Sequence, residues 1–149
     1  MEIRPARMSD LDGIRRCAEA AYSPYIARIG RPPAPMVADF ARLIGDGKVH
    51  VLDEGGTVAG FAVFYRRGDR VHLENVAVHP DLQQRGCGVR LIAHVEQFAA
   101  EDGAAAVELY TNARMTENLA LYPHLGYAET GRRHEDGFDR VFFRKAVTT

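Results

Sequence analysis

One segment combines residue types at a spacing that suits ligand chemistry: Gln83-Gln84-Arg85-Gly86-Cys87-Gly88-Val89. It follows the apolar run Leu73-Glu74-Asn75-Val76-Ala77-Val78 and opens a helical pattern of Val89, Leu91, Ile92, Val95, Phe98 and Ala99. A strand that runs through a polar loop into a helix presents backbone N–H groups at the positive end of the helix dipole. Gly86 and Gly88 have no side chain to obstruct a close-lying ligand, and Arg85 adds a fixed positive charge. The ensemble suits a pyrophosphate. The competing reading is a plain strand-to-helix turn whose glycines are steric. The nucleotide fingerprints GxGxxG and GxxxxGK[ST] are both absent.

Glu74 stands mid-strand among Leu73, Val76 and Val78, where a carboxylate is costly unless it is used or paired. It reads either as a base, with burial raising its pKa, or as a salt-bridged residue. Glu108 is similarly placed in the next strand. Cys87, at a helix start, could be an activated thiol or, more simply, a variable loop position. The six histidines show no metal spacing, and Cys17 and Cys87 form no zinc pattern, so no metal is expected. His79 and His124 read as surface or packing residues.

The elements that must position these groups are legible from periodicity. Glu2 to Ala6 reads as a strand. Ser9 reads as a helix N-cap, with Asp12 three residues on, ahead of Leu11, Ile14, Cys17, Ala18 and Ala21 at helical spacing. After Arg31-Pro32-Pro33-Ala34-Pro35, a second helix runs through Met36, Phe40, Leu43 and Ile44 and ends at Gly45 to Gly47. Lys48 to Asp53, Thr57 to Arg66 and Arg70 to His79 read as an antiparallel meander with hairpin turns at Glu54-Gly55-Gly56 and Arg67-Gly68-Asp69. A helix from Gly88 to Glu101, a strand from Ala105 to Tyr110, a helix from Thr116 to His124, and strands at Gly126 to Glu129 and Val141 to Lys145 complete the order. The expectation is an α/β (α+β) fold: a mixed sheet of six or seven strands with helices on both faces. The strands flanking the Gly88 helix should be parallel.

The chain has 149 residues, 46% of them hydrophobic and 26% charged, the size and balance of one globular domain. A net charge of −1 leaves no basic surplus for nucleic acid. No apolar stretch reaches membrane-spanning length. Two thiols without a disulfide framework fit a reducing cytoplasm. Sheet edges could pair into a homodimer.

With these elements in place, the sequence resembles the GNAT superfamily of acetyl-CoA-dependent N-acetyltransferases. Gln83-x-x-Gly86-x-Gly88 is similar to that family's pyrophosphate loop and follows a strand like its fourth. Asn118-Leu119-Ala120-Leu121-Tyr122-Pro123-His124-Leu125-Gly126-Tyr127 resembles its helix-plus-strand signature. The resemblance spans nearly the whole chain. It implies a mostly antiparallel sheet whose fourth and fifth strands splay into a cofactor wedge. Backbone groups of Val76, Ala77 and Val78 would pair with the pantetheine arm, and the amides from Gln84 to Val89 would cradle the pyrophosphate. Tyr122 would be the general acid, its phenol near the thiol in pKa, and Glu74 the base, with Glu108 or water as alternatives. The Val76 amide would be an oxyanion donor. Where the family commonly places an Asn this chain has Met115; Asn118, or else Asn112, would take that contact. Tyr22, Tyr25 and Arg28 would line the acceptor site, or serve as lid or core. The implied activity is direct acetyl transfer to a primary amine, on a small molecule or a protein. A CoA-binding module without turnover is the alternative.

Overall fold

Runs of Val, Phe and Tyr broken by glycine turns build the sheet. The computed structural model describes residues 1–147 and contains seven strands: β1 (Glu2–Pro5), β2 (Val49–Glu54), β3 (Thr57–Arg67), β4 (Arg70–Val78), β5 (Ala106–Asn112), β6 (Ala128–Glu135) and β7 (Phe138–Ala146). Around them lie α1 (Leu11–Tyr22), α2 (Ile26–Ile29), α3 (Phe40–Gly45), α4 (Cys87–Glu101) and α5 (Thr116–His124). The strands form one sheet in the order β1-β2-β3-β4-β5-β7-β6. Neighbours are antiparallel except β4 and β5, which the α4 crossover makes parallel. The expected mixed, mostly antiparallel sheet is therefore present. No helix among the described residues is long and apolar enough to cross a membrane.

Each face of the sheet has its own core. On one face α4 buries Leu91, Ile92, Val95 and Ala99 against Ala62, Phe64, Val71, Leu73 and Val107. Full burial of each large apolar side chain is worth about 1.5–3 kcal/mol. Close approach of α4 depends on Gly60, where a Cβ would lie 2.8 Å from the Ala77 carbonyl and 3.2 Å from Leu91. On the other face Ile14, Cys17 and Ala18 of α1, with Phe40 and Ile44 of α3, cover Val49, Val51, Phe61 and Val63. Beyond that cover, the same face opens as a groove across β3, β4, β5, β7 and β6.

Several local expectations are corrected. Ser9 does not cap the first helix. Residues Met8–Asp10 form a 3₁₀ turn, and the Asp10 carboxylate accepts the Arg7 N–H at 2.8 Å while Arg4 grips it at 2.9 and 3.0 Å. The helix expected from Met36 is split. Ala34–Val37 is a 3₁₀ turn, Ala38 is extended, and Asp39 caps α3 by accepting from the Arg42 N–H. The loop before α4 is likewise a 3₁₀ turn, Pro80–Arg85. The last two strands are longer than expected and meet at Asp136-Gly137, both in the left-handed region.

Candidate active site

The register of β4 creates the site. β4 pairs with β5 only from Arg70↔Ala106 to Leu73↔Leu109, although both strands continue. On its other side β4 stays paired with β3, but the register slips between Val63↔Asn75 and Phe64↔Leu73, so Glu74 is an unpaired bulge residue. Departure from β5 and the bulge therefore coincide. Past Leu73 the two strands diverge around a cavity lined by Glu74, Val76, Tyr110, Asn118 and Tyr122. Pro33 to Pro35 close one side, and Phe138 and Arg140 another.

The exposed edge of β4 is polar in one sense. The His79 N–H donates to the Ala59 carbonyl, which fixes the alternation. Ala77 therefore bonds β3, while Val76 and Val78 turn their backbone groups toward the wedge. Both carbonyls there have a donor in reach: Val78 O accepts from Gln83 Nε2 at 3.2 Å, and Val76 O lies 3.0 Å from the Tyr22 hydroxyl, whose one proton it shares with the Asn75 side-chain oxygen. Their amides remain as donors.

Below that edge, Gly86 joins the 3₁₀ turn to α4 with φ of +74°, a conformation that glycine adopts without strain. No atom lies within 4 Å of a Cβ built there. The first amides of α4, from Cys87 to Val89, have no intrahelical acceptor and point outward. Arg85 and Val89 are exposed, and Arg85 Nη1 is 3.9 Å from Glu54. Gln84 lies within the turn. The Cys87 side chain departs from expectation: it is buried in the core under α4, so only its backbone faces the loop. Gly88 is less demanding sterically, since a Cβ there would meet Val78 at an ordinary 3.8 Å.

Glu74 lines both the wedge and the groove on the α1 face, as do Tyr110 and Arg140. Its carboxylate accepts from the Tyr65 hydroxyl at 3.2 Å and has no cationic partner among the described residues. Glu108 lies in the groove but outside the wedge, with Arg70 Nε 2.7 Å from its carboxylate. Tyr122 is buried, its ring 5.7 Å from those of Tyr127 and Phe143, and its hydroxyl has no hydrogen-bond partner among the described residues. Burial pushes its phenol well above the ordinary 10. Burial thus holds Tyr122 in its protonated form, the form a proton donor needs.

Met115 is buried, and Thr111 holds Asn118, whose Nδ2 donates to Thr111 Oγ1 at 3.1 Å. Asn112 also lines the wedge, but its side-chain oxygen is used by the Arg114 N–H. The segment after α1 is clasped over the cavity. Glu117 accepts from Tyr25 at 2.7 Å and from Arg28 at 2.6 Å, and Arg31 reaches the Asp136 carbonyl at 2.8 Å. Asn75 was not singled out by the sequence. It accepts from Tyr22 at 2.6 Å and donates to the Pro35 carbonyl at 3.0 Å, pinning the Pro segment to β4. An amide in an apolar strand was the available signal.

A splayed parallel pair beside a Gly loop at a helix N-terminus can be compared with known proteins. The sequence profile of the acetyltransferase (GNAT) family matches residues 14–127. The chain belongs to that family. The [ribosomal protein bS18]-alanine N-acetyltransferase of Escherichia coli K12 is 35% identical over 78 residues, 52% of this chain and 53% of that protein. The chain thus matches about half the length of these curated relatives. The crystal structure of the Escherichia coli ribosomal-protein-S18-alanine N-acetyltransferase superposes with a TM-score of 0.79 at 25% identity, covering 99% of this GNAT chain and 94% of that one. An N-acetyltransferase of Thermoplasma acidophilum solved with coenzyme A shares the fold, with a TM-score of 0.75 at 16% identity over 97% and 98% of the two chains.

Proposed function

We propose that this GNAT protein, as a single N-acetyltransferase domain over residues 1–149, moves the acetyl group of acetyl-CoA directly to a primary amine. The carrying observation is the end of β4–β5 pairing at Leu73, which leaves the Val76 and Val78 amides free beside the Gly86 loop. A pantetheine arm along that edge adds a strand-like partner, and a pyrophosphate over Gly86 meets the amides of α4.

In this reading the neutral amine enters from the groove and attacks the thioester carbonyl carbon. The Val76 N–H donates to the developing oxyanion. The N–C bond forms and the C–S bond breaks. Glu74, at the junction of groove and wedge, takes the proton lost by the amine. Tyr122 gives its proton to the departing thiolate. Glu108, engaged by Arg70, is the weaker candidate for base. Asn118 is assigned to the cofactor. Holding both substrates at one opening supplies much of the rate.

The relatives' activity on a ribosomal-protein alanine supports a protein or peptide amine as acceptor. Both buried thiols are free and fit a reducing, cytoplasmic setting. The test is calorimetry with acetyl-CoA, CoA and NAD, paired with thiol release over a panel of amines. Tight acetyl-CoA binding with amine-dependent thiol release supports the enzyme. Binding without turnover on any amine would make it a CoA-binding module, and absence of binding would remove both.

A further inference from the structure

The groove opposite α4 carries charges that the chemistry above does not use. Five arginines line it: Arg67, Arg70, Arg133, Arg140 and Arg144. Two are neutralised within the protein, Arg70 by Glu108 and Asp69, and Arg140 by Glu135 and Asp136. Arg67, Arg133 and Arg144 are exposed and have no ion-pair partner among the described residues. Arg144 stands across from Glu108 in the β5–β7 register, but that carboxylate is drawn to Arg70 at 2.7 Å. The Arg133 guanidinium carbon sits over the Phe142 ring, 3.9 Å from its centroid, a contact that helps hold the charge in place. Glu74, the proposed base, is the remaining carboxylate in the groove without a cationic partner. This local surplus of positive charge stands on a chain of net charge −1.

The floor is polar as well. His72 is 5% exposed and lines the groove between the rings of Tyr65 and Tyr110. Its Nδ1 is buried, makes no hydrogen bond among the described residues and lies 3.9 Å from the Glu108 carboxylate, so the ring presents an edge of the floor and not a free donor. The groove crosses β3, β4, β5, β7 and β6, four strand spacings or about 19 Å. From Glu74 on β4 to β6 is three of these spacings, about 14 Å, which accommodates about four extended residues at about 3.4 Å each and exceeds a single amino acid.

From this placement we propose that the acceptor is the N terminus of an extended peptide bearing carboxylates in the positions behind its first residue. The inference rests on the acetyl-transfer reading. The amine sits at Glu74. The chain then runs over His72 and Tyr110 toward β6, with its acidic side chains on Arg144 of β7 and Arg133 of β6.

The test uses the full chain and three peptides that share an N-terminal alanine, followed by acidic, neutral or basic residues. Acetyl-CoA binding is measured by calorimetry on the same preparation. The expected result is kcat/KM for the acidic peptide about tenfold above the neutral one and further above the basic one, with the gap shrinking in high salt. Arg133→Glu and, separately, Arg144→Glu should each lower turnover of the acidic peptide and raise that of the basic one, with acetyl-CoA affinity unchanged. Since both side chains are exposed, melting temperature confirms that these variants fold. Equal or better turnover of the neutral or basic peptide, no effect of charge reversal, or no peptide turnover despite acetyl-CoA binding would overturn the peptide assignment alone. Loss of acetyl-CoA binding itself in the unaltered protein would overturn the acetyl-transfer reading with it.

Discussion

The Tyr22 hydroxyl lies 3.0 Å from the Val76 carbonyl, on the side of β4 that faces the wedge, and shares its one proton between that carbonyl and the Asn75 side-chain oxygen at 2.6 Å. An ordinary strand edge offers donors and acceptors in equal number. Here Tyr22 and Gln83 occupy the carbonyls of Val76 and Val78, so the edge offers chiefly N–H groups. Negative charge developing on a thioester oxygen meets donors already in position.

Replacing Tyr122 with Phe should lower kcat by about a hundredfold, the lower end for loss of a general acid, because the buried phenol is a weak one. Its hydroxyl has no hydrogen-bond partner among the described residues, and ring packing with Tyr127 and Phe143 is preserved. Melting temperature and acetyl-CoA affinity should therefore stay close to those of the parent. A large affinity loss with normal turnover would contradict the assignment.

Glu74→Gln should reduce kcat/KM by about 10² at neutral pH while keeping acetyl-CoA affinity. The amide oxygen can still accept from Tyr65, so the bulge should hold. The pH–rate profile separates the roles: loss of a base removes the acidic limb, whereas Glu108→Gln should leave that limb in place. An unchanged profile for Glu74→Gln would exclude it as the base.

Gly86→Val places a β-branched residue at φ of +74°. Left-handed backbone costs about 1–2 kcal/mol for a residue with a Cβ, and the loop relaxes out of its cradle shape. Acetyl-CoA affinity should fall about five- to thirtyfold, read by calorimetry or as a smaller ligand-induced rise in melting temperature. Gly88→Ala, with ordinary contacts only, should cost less.

His50 and His94 meet at 2.9 Å between ring nitrogens, packed against Phe64. Burial, with the neighbouring His94, lowers His50 from its ordinary 6.5 to about 4. Above pH 6.5 the ring is neutral folded or unfolded. Between 6.5 and 4 only the unfolded chain takes the proton, so stability is lost as pH falls through that window. The loss should reach about 1–2 kcal/mol once partial exposure is allowed for. Melting temperature should drop by several degrees from pH 7 to pH 4.5, and the double variant His50→Leu/His94→Leu should flatten that slope.

Glu117→Ala removes the acceptor for both Tyr25 and Arg28, which together hold its carboxyl near 2. The cluster is exposed, so global stability should change by less than about 1 kcal/mol. Hydrogen exchange of residues 23–37 should rise and the acceptor KM should shift. Unaltered exchange there would show that the clasp does not hold the segment.

Most strands were legible because β2, β3 and β4 carry Val and Phe between glycine turns. β6 was shortened in the sequence reading because it is polar on both faces, so alternation gave no signal. Asp10 prevails over Ser9 as the start of the first helix because Arg4, anchored also on Asp53, clasps it, a tertiary contact that capping preferences cannot contain. The pyrophosphate loop was visible as Gly86 and Gly88. The limit of β4–β5 pairing was not visible from side-chain pattern, since Leu73, Val76 and Val78 look alike; it came from the resemblance. The arginines of the groove come from β3, β4, β6 and β7 and converge only in three dimensions.

The four-rung contact between β4 and β5 divides the sheet into two blocks, β1 to β4 and β5 to β7. Hairpins join β2 to β3, β3 to β4 and β6 to β7, whereas the seam depends on the α4 crossover and, like the β1–β2 edge, has only four rungs. Cooperativity between the halves therefore rests on this narrow junction and on α4 above it. A molecule lodged in the wedge would act as a staple across it, turning two partly independent folding units into one.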